Sequence, residues 1–435
     1  MEWYVVLIIG LTLLLGLFLS GAPIFIAFMI INVAGTLVYF GPAGFGMFAN
    51  SLYDTTTFPT LIAVPLFILM GEFLFRSGAM DVLYDSLDKL VGRSRLRLYY
   101  LSIALSTMFG ALSGAAMGVV AMLGRSLFPG LIARGYDRGI STGTILAGAS
   151  LAPIIPPSIL VIIIGSLAQV SIARLLIAGI IPGLILAGLF LAYIVVRVKL
   201  DPGRAPAVAD DIGDVTWGDR GIAVLRMVPF TIIILGVLGT IMAGIATPEE
   251  SAGTGVLGTL IVARIYGRLN FGLIRDACDS TARITAMILA IMMSSKMFGQ
   301  LLAFSGSTTA LVGFISDVEV NRWVLLFILM AVPFLLCLFI DQVALMLVVI
   351  PIYMPLLQPL GFDPIWFWLL FLINITLGGI TPPFGYTMFA FKGVQPSVPM
   401  TDIYNASWPF VFIFLIGMLI FAAFPGVVTW LPNLL

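Results

Sequence analysis

The 435-residue chain is 61% hydrophobic and 10% charged, where soluble domains are roughly half apolar and a quarter charged, so a water-soluble globular protein is excluded. It has no histidine and two cysteines, Cys278 and Cys337, which argues against zinc centres, serine–histidine triads and disulfide frameworks. Twenty-one basic residues balance 21 acidic ones, and nothing in that balance favours a nucleic-acid partner. What remains is a polytopic membrane protein that moves something across a bilayer or is anchored in one.

Met1-Glu2-Trp3-Tyr4 runs directly into apolar sequence without a preceding basic residue or an evident cleavage site, and reads as a first transmembrane helix instead of a removed signal peptide. Helices are predicted at about 5–20, 24–40 and 60–75. Basic residues gather at Arg76 to Arg97, at Arg134 and Arg138, at Arg197 to Arg226 and at Arg264 to Arg283, with Lys392 alone later; the positive-inside bias puts all of them in the cytoplasm. Three crossings before Arg76 then leave the N-terminus outside. The apolar region 98–133 returns to a basic loop, so it crosses an even number of times, and its arms meet near Ser113-Gly114. The first arm spans roughly 22 Å against a hydrocarbon core of about 30 Å, so the pair reads as a re-entrant hairpin entering from the cytoplasm.

From Gly139 the chain runs outward to about 167, interrupted at Pro153-Ile154-Ile155-Pro156-Pro157, where tandem prolines remove backbone donors and break the helix. It returns along 172–196 to a polar connector, 197–226, with Asp201-Pro202-Gly203-Arg204, Asp210-Asp211 and Asp219-Arg220. Helices near 227–245 and 251–263 flank Thr247-Pro248-Glu249-Glu250, and one near 284–304 leads outward. A second apolar pair in 323–393 meets near Ile340-Asp341, followed by a turn at Gly361-Phe362-Asp363-Pro364 and a crossing broken at Thr381-Pro382-Pro383. A last helix, 403–425, leaves the C-terminus outside.

One offset of 226 relates Pro129 to Pro355, Gly135-Tyr136-Asp137 to Gly361-Phe362-Asp363, Pro156-Pro157 to Pro382-Pro383 and Ser171 to Ser397. The charge pattern orients the two copies oppositely. The expected fold is therefore all-α, a polytopic membrane protein with inverted repeats, two re-entrant helical hairpins and two broken transmembrane helices. It divides into N-terminal scaffold helices (1–59), a first repeat (60–196), a connector with central scaffold helices (197–283) and a second repeat (284–435). Inverted repeats with paired broken helices mark secondary transporters, whose cargo binds at the bilayer midplane. In hydrocarbon an interrupted helix needs protein, water or an ion as partner; half-helix N-termini suit anions and freed carbonyls suit Na+.

Ala111-Leu112-Ser113-Gly114, Arg134-Gly135-Tyr136-Asp137 and Ile155-Pro156-Pro157-Ser158 resemble the large membrane subunit of tripartite ATP-independent periplasmic (TRAP) transporters, the DctM-like branch of the ion transporter superfamily. So do Phe339-Ile340-Asp341, Gly361-Phe362-Asp363-Pro364 and Thr381-Pro382-Pro383-Phe384-Gly385, and Pro65 to Gly78 looks like the family's early helix. The resemblance spans nearly the whole chain. It implies an elevator-type, Na+-coupled importer of an organic acid anion in the bacterial inner membrane, with no organic cofactor. It also implies two partners: a small four-helix membrane subunit, expected on a separate polypeptide, and a periplasmic substrate-binding protein.

Within that frame Asp341, at the second tip, is a Na+ or substrate ligand, an N-cap for the following arm, or both. Carbonyls near Gly148, Ala152, Pro156, Gly378, Thr381 and Pro382, with the Thr381 hydroxyl, are the other Na+ candidates. Ser113, Gly114, Ser158, Asn374, Arg125 and Lys296 are substrate candidates. Ser113 reads equally as a cap; the family often has a more serine-rich first tip than the Ala115 here. Arg125 either neutralises a carboxylate or snorkels to the cytoplasmic surface, and Lys296 either does the same or pairs with an acid such as Glu72. Two alternatives share the architecture or the composition: a stand-alone sodium/carboxylate symporter, and a membrane scaffold without transport. The lack of histidine, of clustered carboxylates and of a phosphate-binding loop argues against an enzyme or an ATPase.

Overall fold

A computed structural model describes residues 3–91, 94–206, 216–267, 269–317 and 321–435. The Asp210-Asp211 part of the connector lies outside them. The regular structure of the described residues is helical throughout. In chain order the helices are α1 (Trp3–Leu19), α2 (Ile24–Phe40), α3 (Gly46–Thr56), α4 (Ala63–Arg76), α5 (Ala79–Val91), α6 (Arg97–Ser113), α7 (Ala116–Ser126), α8 (Phe128–Ala133), α9 (Arg138–Ala149), α10 (Ile159–Leu167) and α11 (Ile172–Ala178). They continue with α12 (Ile180–Leu200), α13 (Trp217–Met242), α14 (Pro248–Ile265), α15 (Phe271–Phe304), α16 (Ser307–Asp317), α17 (Arg322–Cys337), α18 (Gln342–Leu357), α19 (Pro364–Gly378), α20 (Tyr386–Val394), α21 (Met400–Ala423) and α22 (Gly426–Thr429).

Six helical stretches among the described residues are long and apolar enough to cross a bilayer: Pro59–Arg76, Ala116–Ala133, Ile172–Leu200, Trp217–Met242, Phe271–Phe304 and Met400–Ala423. Three segments differ from the sequence reading. Residues 46–56, where no helix was predicted, form α3, and the basic stretch after Arg76 is largely α5. The basic segment 264–283 mostly opens α15, a helix of 34 residues. Charges there do not prevent helix, because pairs such as Arg283–Asp279 (2.9 Å) sit one turn apart on an exposed face.

The repeated sequence motifs do repeated work. Gly135 (φ 80°) and Gly361 (φ 63°) each turn the chain through the left-handed region that glycine enters without strain. Two residues later Asp137 and Asp363 cap α9 and α19, accepting from the Ile140 and Trp366 amides at 2.8 and 2.9 Å. At the offset of 226, α6 falls on α17, α7 on α18, α9 on α19, and α10 on α20. Both double prolines, Pro156-Pro157 and Pro382-Pro383, have cis peptide bonds.

Helix α21 fixes the relative direction of the copies. Arg138, the first residue of α9, reaches Asp402 at the start of α21 (3.8 Å). Trp366, near the start of α19, donates its indole N–H to the Phe421 carbonyl at the far end of α21 (2.8 Å). Those two anchor points are separated by roughly 28 Å of helix. The repeat-related helices α9 and α19 therefore begin at opposite ends of the molecule.

Contacts between the copies are exchanged symmetrically: α10 packs on α18 and α20 on α7. Phe128 meets the Phe391 ring edge-on at 5.0 Å, and the Gln395 side chain donates to the Gly124 carbonyl at 2.7 Å. At the connector, the Arg95 guanidinium donates to the carbonyls of Pro202, Ala205 and Pro206 at 2.8, 3.1 and 3.2 Å. The Tyr99 hydroxyl and the Asp137 amide both donate to the Arg204 carbonyl, at 2.9 and 3.0 Å. The first strand of connector is thus strapped to the base of α6 and α9.

Candidate functional site

Each broken helix meets the tip of the hairpin in its own half, and small residues permit the approach. In the first half α6 ends at Gly114 (φ 62°), whose missing Cβ would sit 3.3 Å from the Pro157 carbonyl and 3.2 Å from the Ile159 amide. One turn earlier, a Cβ on Gly110 would lie 2.8 Å from the Ala152 Cα. In the second half a Cβ on Gly378 would lie 2.9 Å from the Cys337 sulfur, and the Cys337 thiol points its hydrogen at the Ile375 carbonyl (3.3 Å). Gly378 is the offset counterpart of Ala152, so the two junctions are built alike.

The sequence-derived candidates fall into these two junctions with two exceptions. In the first, Gly114, Gly148, Ala152, Pro156 and Ser158 come together and are all buried, while the adjacent Ala115 is exposed and the Ser113 side chain lies outside the described residues. Ser158 caps α10, accepting from the Val161 amide at 3.3 Å while donating to the Pro153 carbonyl. In the second, Asp341 caps α18 through Oδ1, which accepts from the Val343 and Ala344 amides at 2.9 and 3.4 Å. Thr381 donates to the Leu377 carbonyl and Asn374 to the Met330 carbonyl, both at 2.7 Å, so Asn374 ties α19 to the hairpin.

The backbone at the breaks leaves several carbonyls without a hydrogen-bond donor among the described residues. The Gly148 and Gly378 carbonyls accept turn hydrogen bonds, from the Leu151 amide at 3.1 Å and the Thr381 amide at 3.2 Å. The carbonyls of Ala152, Pro156 and Pro382 accept none among the described residues. The second junction is the more open: Asp341, Phe339 and Phe384 are exposed there, with the two phenyl rings 5.7 Å apart. Pro156, Pro157 and Ser158 are all buried.

Arg125 and Lys296 lie elsewhere. Arg125 is exposed at the C-terminal end of α7 with no ion pair among the described residues, roughly 16 Å along the helix from the first tip. Lys296 does not pair with Glu72, which bonds Arg76 and Ser280 instead; it faces Asp54 of α3 at 3.6 Å. That pair lines a half-open cavity of about 730 Å³ between α3, the α10–α11 turn, α15 and α18. Asp54 and its neighbour Thr55 were not legible as site residues, because 46–56 carries no long apolar run and its partner helix lies some 240 positions away in sequence.

A family model for the tripartite ATP-independent periplasmic transporter, DctM component, matches residues 11–427. The chain belongs to that family. Relatives include the C4-dicarboxylate TRAP transporter large permease protein DctM of Pseudomonas aeruginosa, 27% identical and covering 92% of each chain. The ectoine TRAP transporter large permease protein TeaC of Halomonas elongata is 28% identical over 97% of each. The sialic acid TRAP transporter permease protein SiaT of Haemophilus influenzae is 26% identical; there this chain aligns along its full length but covers 67% of the relative. Among solved structures, the YdaH transporter of Alcanivorax borkumensis superposes with a TM-score of 0.65 at 17% identity, covering 93% of this chain and 98% of that one, and so shares the fold. This DctM component is accordingly a multi-pass membrane permease.

Proposed function

We propose that the protein is the large subunit of a Na+-coupled importer of an organic acid anion in the bacterial inner membrane. The observation that carries the reading is the pair of junctions, each a hairpin tip seated on an interrupted helix, in halves whose equivalent helices start at opposite ends of α21. Inverted halves of this kind place cargo between them near the midplane. In this reading the hairpins are re-entrant and the termini periplasmic. Na+ is held by the bare carbonyls of Ala152, Pro156 and Pro382, by those near Gly148, Gly378 and Thr381, and by Asp341 at the open tip. Substrate contacts come from Ser113, Gly114, Ser158 and Asn374, with Lys296 and Arg125 meeting carboxylates on the way in and out.

Transport proceeds by movement of the repeat units (60–196 and 284–435) against the N-terminal and central helices, an elevator. The relatives are named as permeases for C4-dicarboxylates, ectoine and sialic acid, which supports a small carboxylate-bearing cargo. Partners are a small four-helix membrane subunit and a periplasmic binding protein. The test is reconstitution in proteoliposomes with both partners: uptake should require all three proteins and an inward Na+ gradient. Uptake by this chain alone would make it a stand-alone symporter, and Na+-independent uptake would remove the coupling.

A further inference from the structure

The cavity holding Asp54 and Lys296 has a charge arrangement that the junctions lack. Among the described residues lining it, Lys296 and Asp54 are the charged ones, and they face each other from α15 and α3 across 3.6 Å. That is longer than a charge-assisted N–H···O bond, for which about 2.7–2.9 Å is usual. Both side chains remain open to the cavity, at 36% and 54% exposure. The pair is therefore not a sealed neutralising bridge, and each partner keeps hydrogen-bonding capacity facing the space between them.

Two hydroxyls among the described lining residues lack partners. Thr55, beside Asp54, is 5% exposed, and its Oγ1 makes no hydrogen bond; the same holds for the Oγ of Ser166 across the cavity. Each keeps donor and acceptor capacity with no protein partner, available to a species in the cavity. The Ser51 hydroxyl donates to Gln300 Oε1 at 2.7 Å, which locks α3 to α15 and holds Asp54 and Lys296 at their spacing.

We propose that this cavity is an entry site selecting a zwitterionic acid over a dianion, with the cargo carboxylate on Lys296 and its cationic nitrogen on Asp54. A species carrying one charge of each sign replaces the loose ion pair with two complementary ones and leaves no charge unmatched. A dicarboxylate satisfies Lys296 only by bringing its second carboxylate toward Asp54, where like charges repel. The inference rests on the transport of carboxylate cargo proposed above and adds its charge class.

The test uses the full chain in nanodiscs and calorimetric binding of a length-matched pair, 5-aminopentanoate as zwitterion and glutarate as dianion, with ectoine as a second zwitterion. Wild type should bind at least one zwitterion and prefer it to glutarate. Asp54→Asn should lose at least about tenfold in zwitterion affinity and gain for glutarate, Lys296→Gln should weaken both, and Asp54→Glu should restore the wild-type order. A purely structural ion pair would lower stability without inverting preference, so inversion is the discriminating readout. Preference of the wild type for glutarate, binding of none of the three, or unchanged zwitterion affinity in Asp54→Asn overturns the proposal. Na+-driven uptake of any carboxylate by the three-protein assembly, measured in parallel, shows whether the transport reading survives that result.

Discussion

A single substitution can separate the capping that Asp341 performs from the Na+ contact proposed for it. Its Oδ1 caps α18, and asparagine caps a helix about as well as aspartate, so Asp341→Asn removes the charge while keeping the turn. Asp341→Ala removes both, at a cost of about 1 kcal/mol to the helix start. The expected outcome is that the Asn variant inserts and melts like wild type but needs at least about tenfold more Na+ for half-maximal uptake, a loss of about 1.4 kcal/mol. Wild-type Na+ dependence would leave Asp341 as a cap alone. The capping role was open to the sequence reading because an acid followed by an apolar run is a helix-start pattern. The partner of Lys296 was not, since Asp54 meets it only through the packing of two sequence-distant helices.

At the level of elements, the hairpin tips depend on residues with no side chain to spare. A valine at Gly110 would drive its Cβ to within 2.8 Å of the Ala152 backbone, which cannot swing away as a side-chain tip could. Gly110→Val should therefore destabilise the first junction by about 1–3 kcal/mol and depress uptake, seen as a lowered melting temperature in detergent with membrane insertion retained. Gly130→Ala is the control: it lies in α8 with nothing within 4 Å, and should be neutral or slightly stabilising. Breaks and tips were readable because Pro156-Pro157, Pro382-Pro383 and Gly114 constrain the backbone locally. The helices α3 and α5 and the start of α15 were not, because their polar residues imitate loops until neighbouring helices supply an apolar surface.

For the molecule as a whole, the opposed start points of α9 and α19 put repeat-related residues on opposite faces. Ser171 and Ser397, one offset apart, are both exposed. In a Cys278→Ser background, where Cys337 is buried, Ser171→Cys should react with an impermeant maleimide added outside intact cells. Ser397→Cys should react only after the membrane is opened. Labelling of both from one side would mean that the copies point the same way. The broad architecture was written in the spacing of prolines, glycines and basic residues, whereas the cavity holding Asp54 and Lys296 exists only once α3, the α10–α11 turn, α15 and α18 converge.

The strap at Arg95 sets a mechanical limit on all of this. The carbonyls of Pro202 to Pro206 are fastened to the base of α6, and the next fixed point along the described chain is Thr216, which caps α13. Covalent geometry alone keeps those two fixed points within roughly 35 Å of each other. Deleting residues between them would tighten that bound by about 3.5 Å each, so uptake by a series of such deletions would report how far α6 and α13 must separate for transport.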